Sequence, residues 1–247
     1  MRRLADRFSE VASNCTSLAE LRALLGDASR DLGFGHFALL HHASLTKAGA
    51  QYVRIDNYPA EWVAEFVEDG LYRQDPVHRA SRRASAAFLW SDLRSLVPLG
   101  REQKQILERS RHFGLGEGLT IPVNVPGEPC GSCSFAVRRG QDLPHQRLLC
   151  AELIGAHAFR AARRIAELPD LARRPHLSRR ELQCLRFVAA GKTDWEIAAI
   201  LGIGVETARQ YVKRARSAYD AVTRAQLVLL GLRDDWLSFE DALDPRV

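Results

Sequence analysis

Arg209, Gln210, Lys213, Arg214 and Arg216 place five hydrogen-bonding side chains within eight residues of chain. An Arg or Lys can donate two hydrogen bonds to guanine O6 and N7, and a Gln can pair with adenine N6 and N7. Gathered on one side of a helix, these residue types suit the reading of base edges in a DNA major groove. The same pattern also describes a solvated basic face on an ordinary helical bundle. The elements around it have to decide between the two.

Two other groups of reactive residue types lead nowhere. Cys130-Gly-Ser-Cys133 has redox spacing. A dithiol site wants its first cysteine at a helix N-terminus, and a zinc site wants a second ligand pair. Here the motif runs into a strand pattern and no second pair follows. His41-His42 closes another strand pattern without a carboxylate cluster beside it. No catalytic constellation emerges, so the chain reads as a non-enzyme without metal or cofactor. The five cysteines (15, 130, 133, 150 and 184) are an odd, scattered set. They suit reduced thiols in a cytosol better than a disulfide framework, which points to a cytoplasmic protein.

The elements around the basic residues favour DNA. Ala208, Val212, Ala215 and Tyr219 recur at spacings of four, three and four, one apolar stripe opposite the basic side chains. Before them lies a short helical pattern over 194–201, then the turn Gly-Ile-Gly. Short helix, glycine-containing turn and second helix with one basic face make a helix-turn-helix. Three capping-box patterns mark helix starts: Ser178 with Glu181, Thr193 with Glu196, and Thr223 with Gln226.

The rest of the chain mixes periods. Helical spacing predicts helices over 16–32, 59–69, 100–113 and 144–167. Strand patterns cover 36–42, 51–57, 118–124 and 131–138, the last two joined by a Pro/Gly turn. Helices flanking an antiparallel sheet imply an α/β/α sandwich, so the fold class is α+β with an all-α four-helix C-terminal domain. Pro169 and Pro175 interrupt the pattern between them. We read 1–167 as one domain, 168–177 as a linker and 178–247 as the DNA-binding domain.

The 247 residues suffice for two such domains, and 46% apolar with 26% charged residues is ordinary globular composition. A net charge of +5 permits a polyanionic partner without demanding one. No apolar run reaches the ~20 residues that span a bilayer, so no membrane is implied.

With these residues in place, the segment 177–232 is similar to the LuxR/GerE-type DNA-binding domain. It supplies that pattern as Glu181, Leu185, Gly191, Lys192, Thr193 and Glu196-Ile197-Ala198. The resemblance implies base contacts from Arg209, Gln210 and Lys213, and phosphate contacts from Lys192, Thr207 and Arg214. Two departures stand out. Gly204 occupies the recognition-helix N-cap where the family usually has Ser, and Trp195 a position that is usually polar.

Residues 33–138 resemble the autoinducer-binding domain of quorum-sensing LuxR regulators. Tyr58, Trp62 four residues on, and Asp75-Pro76 thirteen and fourteen residues beyond the tryptophan carry the likeness. Trp90, Gly118 and Ser134 extend it. The ligand this implies is an N-acyl-homoserine lactone. Its polar groups each need a partner in an apolar cavity, at about 1–3 kcal/mol for any left unpaired. The resemblance assigns the lactone carbonyl to the indole N–H of Trp62 and the amide N–H to the carboxylate of Asp75. It assigns the amide carbonyl to the hydroxyl of Tyr58, helped by Ser134, and makes Trp90 a wall of the lactone ring. Where relatives carry a tyrosine four residues after the tryptophan, this chain has Phe66, a more apolar wall. Val63, Val67 and Val77 are expected beside the acyl tail. Asp75 is expected to make an empty cavity unfavourable.

The implied function is a quorum-sensing transcription factor that binds a lactone and, as a homodimer, an inverted repeat in double-stranded DNA, with RNA polymerase as a further partner. Dimer contacts are expected from the helix over 144–167 and from residues 227–230.

Overall fold

The computed structural model describes residues 2–45, 53–125, 128–166 and 174–243. The chain divides into two compact units: Met1–Val125 with Pro129–Leu168, and Pro126–Glu128 with Pro169–Val247.

The first unit runs α1 (Arg2–Asn14), α2 (Leu18–Asp31), β1 (His36–His41), β2 (Arg54–Asp56), α3 (Ala60–Glu68), α4 (Pro76–Ser81) and β3 (Phe88–Leu89). It continues with α5 (Leu93–Leu96), α6 (Arg101–His112), β4 (Leu115–Val123), β5 (Gly131–Arg138) and α7 (Leu148–Ile165). The five strands form one antiparallel sheet in the order β2-β1-β5-β4-β3. All four expected strands are present; residues 51 and 52 of the second lie outside the described residues. The mixed sheet-and-helix class is as expected.

Strand alternation gives the sheet two different faces. Phe37 and Leu39 of β1, with Cys133, Phe135 and Val137 of β5, pack against α1, α2 and α7 in the main core. The alternate residues, Ala38 and Leu40 of β1 and Ser132 and Ser134 of β5, face the other way. Except for Leu40 they are small or polar, and they leave room between the sheet and the elements from α3 to α6. That room is where the candidate site lies.

Helix α1 was not legible as a helix. Its buried stripe is Ala5, Phe8 and Ala12, with Cys15 just beyond its end, and Asp6 and Glu10 interrupt the apolar residues along the sequence. Helix α7 starts four residues later than expected, after a 3-10 turn over His145–Arg147.

The second unit is helical among its described residues: α8 (Arg179–Ala189), α9 (Asp194–Leu201), α10 (Val205–Ala218), α11 (Arg224–Arg233) and a short α12 (Phe239–Leu243). Ser178 and Thr193 form complete capping boxes, each accepting the third backbone N–H while Glu181 or Glu196 reaches back. Thr223 caps α11 from its own side chain, but Gln226 reaches one residue further and accepts from the Val222 N–H at 2.8 Å. Residues 167–173, where the domain boundary and most of the expected linker fall, lie outside the described residues. Just past them Arg174 stacks over Trp236 at 4.3 Å and Leu177 is buried among Leu185, Ala215 and Leu227. No helix among the described residues is long and apolar enough to cross a membrane.

Candidate functional site

Tyr58, Trp62, Phe66, Asp75, Trp90 and Ser134 come from five separate stretches of chain and line one cavity of about 70 Å3. Val63 and Val77 line it too. Val67 does not; it packs with Tyr58, Phe66 and Tyr72 against Ala38 and Leu40.

Asp75 is 6% exposed. It stands at the N-cap of α4, where its two oxygens accept the N–H groups of Val77 and His78, both at 3.2 Å. A carboxylate is favoured there by the unpaired first-turn N–H groups and the helix dipole. The His78 ring lies 3.5 Å from the same carboxylate. Asp75 is therefore stabilised without a ligand, which corrects the expectation that it strains an empty cavity. Each oxygen keeps a lone pair for a further donor.

Trp90 and Ser134 are also partly engaged. The Trp90 indole donates to Thr120 Oγ1 at 2.9 Å, and Thr120 shares a 2.8 Å hydrogen bond with Ser134. The Trp90 ring rests on β4 at Gly118, where a β-carbon would sit 2.6 Å from it. Its face is thus a fixed wall. Trp62 tilts against Phe66 and Phe113, with ring centroids 5.2 and 5.7 Å apart. Among the described residues neither the Trp62 indole N–H nor the Tyr58 hydroxyl has a hydrogen-bond partner. Burial pushes the Tyr58 pKa upward, and Asp75, Asp56 and Cys133 add to the shift. The phenol stays protonated and remains a donor. Two donors and one carboxylate acceptor therefore have unused capacity in an otherwise apolar chamber.

Sequence reasoning missed Ser132, His78, Ile106 and Ser110, which also line the cavity. Two signals were available. Ser132 is two residues from Ser134 on one strand face, and His78 is one helical turn beyond Asp75.

Cys133 faces away from this cavity into the main core, and burial raises its thiol pKa, so Cys133 presents no reactive thiolate.

In the second unit Ala208, Val212, Ala215 and Tyr219 are buried as the stripe predicts. Thr207, Arg209, Gln210, Lys213 and Arg214 are exposed, while Lys192 is half-buried at the turn before α9. Arg216 departs from the basic face: it donates to the carbonyls of Ala221 and Val222 beyond its own helix end. Arg209 pairs with Glu206 at 2.5 Å and lies 3.8 Å from Asp194; Gln210 donates to Glu206 at 3.0 Å. Asp194 also holds Arg224 of α11 at 2.6 Å. Gly204 starts α10 without a side-chain cap, and Trp195 is 68% exposed.

Residues 17–165 match the family model described as autoinducer binding domain, and residues 175–230 the one described as bacterial regulatory proteins, luxR family. The HTH-type transcriptional regulator y4qH of Sinorhizobium fredii is 28% identical over 172 residues, 70% of this chain and 53% of that protein. RpaR of Rhodopseudomonas palustris, a quorum sensing-dependent transcriptional regulator, is 27% identical over 234 residues, 93% of this chain and 86% of RpaR. The crystal structure of Escherichia coli SdiA aligns with a TM-score of 0.66 at 22% identity, covering 96% of this chain and 97% of that one. A second SdiA structure, in complex with octanoyl-rac-glycerol, aligns with a TM-score of 0.64 at 23% identity over 94% and 93% of the two chains.

Proposed function

Because the chain belongs to the autoinducer-binding luxR family of bacterial regulatory proteins, a family of transcription regulators and not of enzymes, we propose that it is a cytoplasmic quorum-sensing regulator whose first unit binds an N-acyl-homoserine lactone and whose second binds operator DNA.

The observation that carries the reading is the convergence of Tyr58, Trp62, Asp75, Trp90 and Ser134 on one cavity with donors left unpaired. Each polar group of the lactone then has a partner: Trp62 for the ring carbonyl, Asp75 for the amide N–H, Tyr58 with Ser134 for the amide carbonyl. Phe66 and Trp90 supply apolar walls. A cavity of ~150 Å3 admits benzene, so a lactone with its tail enters a chamber of about 70 Å3 only as wall side chains move outward. Occupancy and packing of this unit are therefore coupled.

Arg209, Gln210 and Lys213 read bases in this proposal, and Lys192, Thr207 and Arg214 hold phosphates. The domain limits stay at 1–167 and 178–247 with a linker between them. The chain acts as a homodimer on an inverted repeat, its two recognition helices about one helical turn of DNA apart. Leu149, 79% exposed, and Leu153 form an apolar edge on α7, and Leu229 is exposed on α11; these supply the contacts between copies. RNA polymerase is the further partner such a regulator acts on.

The SdiA complex favours one second reading: an acylated molecule without an amide N–H. Thermal unfolding across a panel of acyl-homoserine lactones and acyl glycerols separates the two. A ligand at 100 times its Kd stabilises by about 2.7 kcal/mol, or roughly 5–10 °C for a chain of this size. We expect that shift from a lactone, and we expect Asp75→Asn, which keeps a helix-capping oxygen, to abolish most of it. A shift from acyl glycerols alone, or one that Asp75→Asn leaves intact, contradicts the lactone assignment.

A further inference from the structure

Strand β5 turns two serines toward the cavity, and only Ser134 has a role above. Ser132 is buried, paired across the sheet with Leu40 and Pro122. Its Oγ lies 3.1 Å from Nε2 of His42, a buried imidazole stacked on His78 with centroids 4.1 Å apart. The same Nε2 is 3.4 Å from Ser81 Oγ, and Ser81 donates its proton to the His78 carbonyl at 3.1 Å.

The direction of these bonds follows from which nitrogen of His42 carries its proton. Ser81 has one proton, spent on that carbonyl, so it meets His42 with a lone pair. His42 is neutral: burial, then His78 and Arg82, lower its pKa to about 2. A neutral imidazole carries one N–H. Nδ1 of His42 has no partner among the described residues, so a proton there would be an unpaired buried N–H, which proteins avoid more strictly than an unpaired lone pair; the proton is therefore assigned to Nε2, which faces two oxygens. Ser132 Oγ is then an acceptor from His42. Its own proton has no acceptor among the described residues, at a position that lines the cavity.

We infer that Ser132, oriented by His42, is a second polar subsite that donates a hydrogen bond to an oxygen carried on the ligand's acyl chain. The inference rests on the acyl-lactone reading above. Two residues along a strand span about 7 Å. With the amide carbonyl at Tyr58 and Ser134, the chain oxygen therefore lies past the third carbon, as a distal oxo or hydroxyl group. Ser132 is the specificity residue, and His42 acts through it as a positioning residue.

The test compares apparent Kd values on the full chain for octanoyl-homoserine lactone, its 3-oxo form, and forms with an oxo or hydroxyl group at carbon 5, 6 or 7. One distally oxygenated form should bind about fivefold tighter than the bare chain, the worth of one neutral hydrogen bond. Ser132→Ala should remove that preference while leaving the bare lactone as tight or tighter, and Ser132→Cys, closer in size, should do the same. Ser134→Ala should weaken both ligands together. Lactones that bind without distal preference, or Ser132 variants that weaken every lactone equally, overturn the subsite and leave the lactone reading standing. If no lactone binds at all, that reading fails and the subsite falls with it. The ligand comparison in the unmodified protein needs no variant to fold.

Discussion

Gly118 has no side chain, and the indole of Trp90 occupies the space one would need: a β-carbon there lies 2.6–2.8 Å from three ring atoms. The ring has little freedom to retreat, because its N–H is held by Thr120 at 2.9 Å. Overpacking of this kind costs about 1–3 kcal/mol. Gly118→Ala should therefore lower the denaturant midpoint of the first unit and reduce lactone affinity by tilting Trp90 out of the wall; equal stability and equal affinity would show that Trp90 is not a fixed surface. At this scale legibility was uneven. Trp62, Asp75 and Trp90 could be found because large or charged residues at fixed spacing form a pattern. Ser132 lay two residues from Ser134 and His42 in a His-His pair, but no spacing in the sequence joins the two. Their contact joins β5 to a turn 90 residues away in sequence. Asp75 was legible as a residue of the cavity, but its cap on α4 belongs to a six-residue helix that no period reveals.

Elements that carry their own chemical start signal were read almost to the residue. Ser178, Thr193 and Thr223 cap α8, α9 and α11 where the hydroxyls predicted. Helix α4 and the two-residue β3 escaped, because very short segments owe their form to tertiary packing rather than to propensity. Helix α10 shows a further effect of element geometry. Glu206, one turn before Arg209 and Gln210, engages both, so in the proposed DNA complex those side chains exchange a carboxylate for DNA. Arg209→Ala should cost about 1–3 kcal/mol of specific binding and relax preference at one base position. Glu206→Ala should release both side chains and raise affinity for unrelated DNA, because a negative charge leaves the binding face. Binding titrations against specific and random duplexes check both. If Arg209→Ala left specific binding intact, Arg209 would not be a base-reading residue.

At the scale of the whole molecule the proposed function couples two tasks through stability. A ligand that enters the first unit lowers the free energy of its folded form, and the folded form carries the exposed Leu149 and Leu153 edge on α7. In that proposal dimerisation then brings two recognition helices to one operator, and paired half-sites bind far more tightly than single ones. The two-domain organisation was legible because the hydrophobic period changes from mixed to wholly helical near Pro175. The coupling was not, since it resides in no single residue. The central claim is that lactone occupancy governs the grip on DNA. Its most direct measurement is the affinity of the full chain for an inverted-repeat operator duplex, by fluorescence anisotropy at fixed salt, with and without a saturating acyl-homoserine lactone that binds it. The account predicts at least about tenfold tighter binding with lactone, or 1.4 kcal/mol of coupling. Equal operator affinity in the empty and lactone-saturated protein would contradict it.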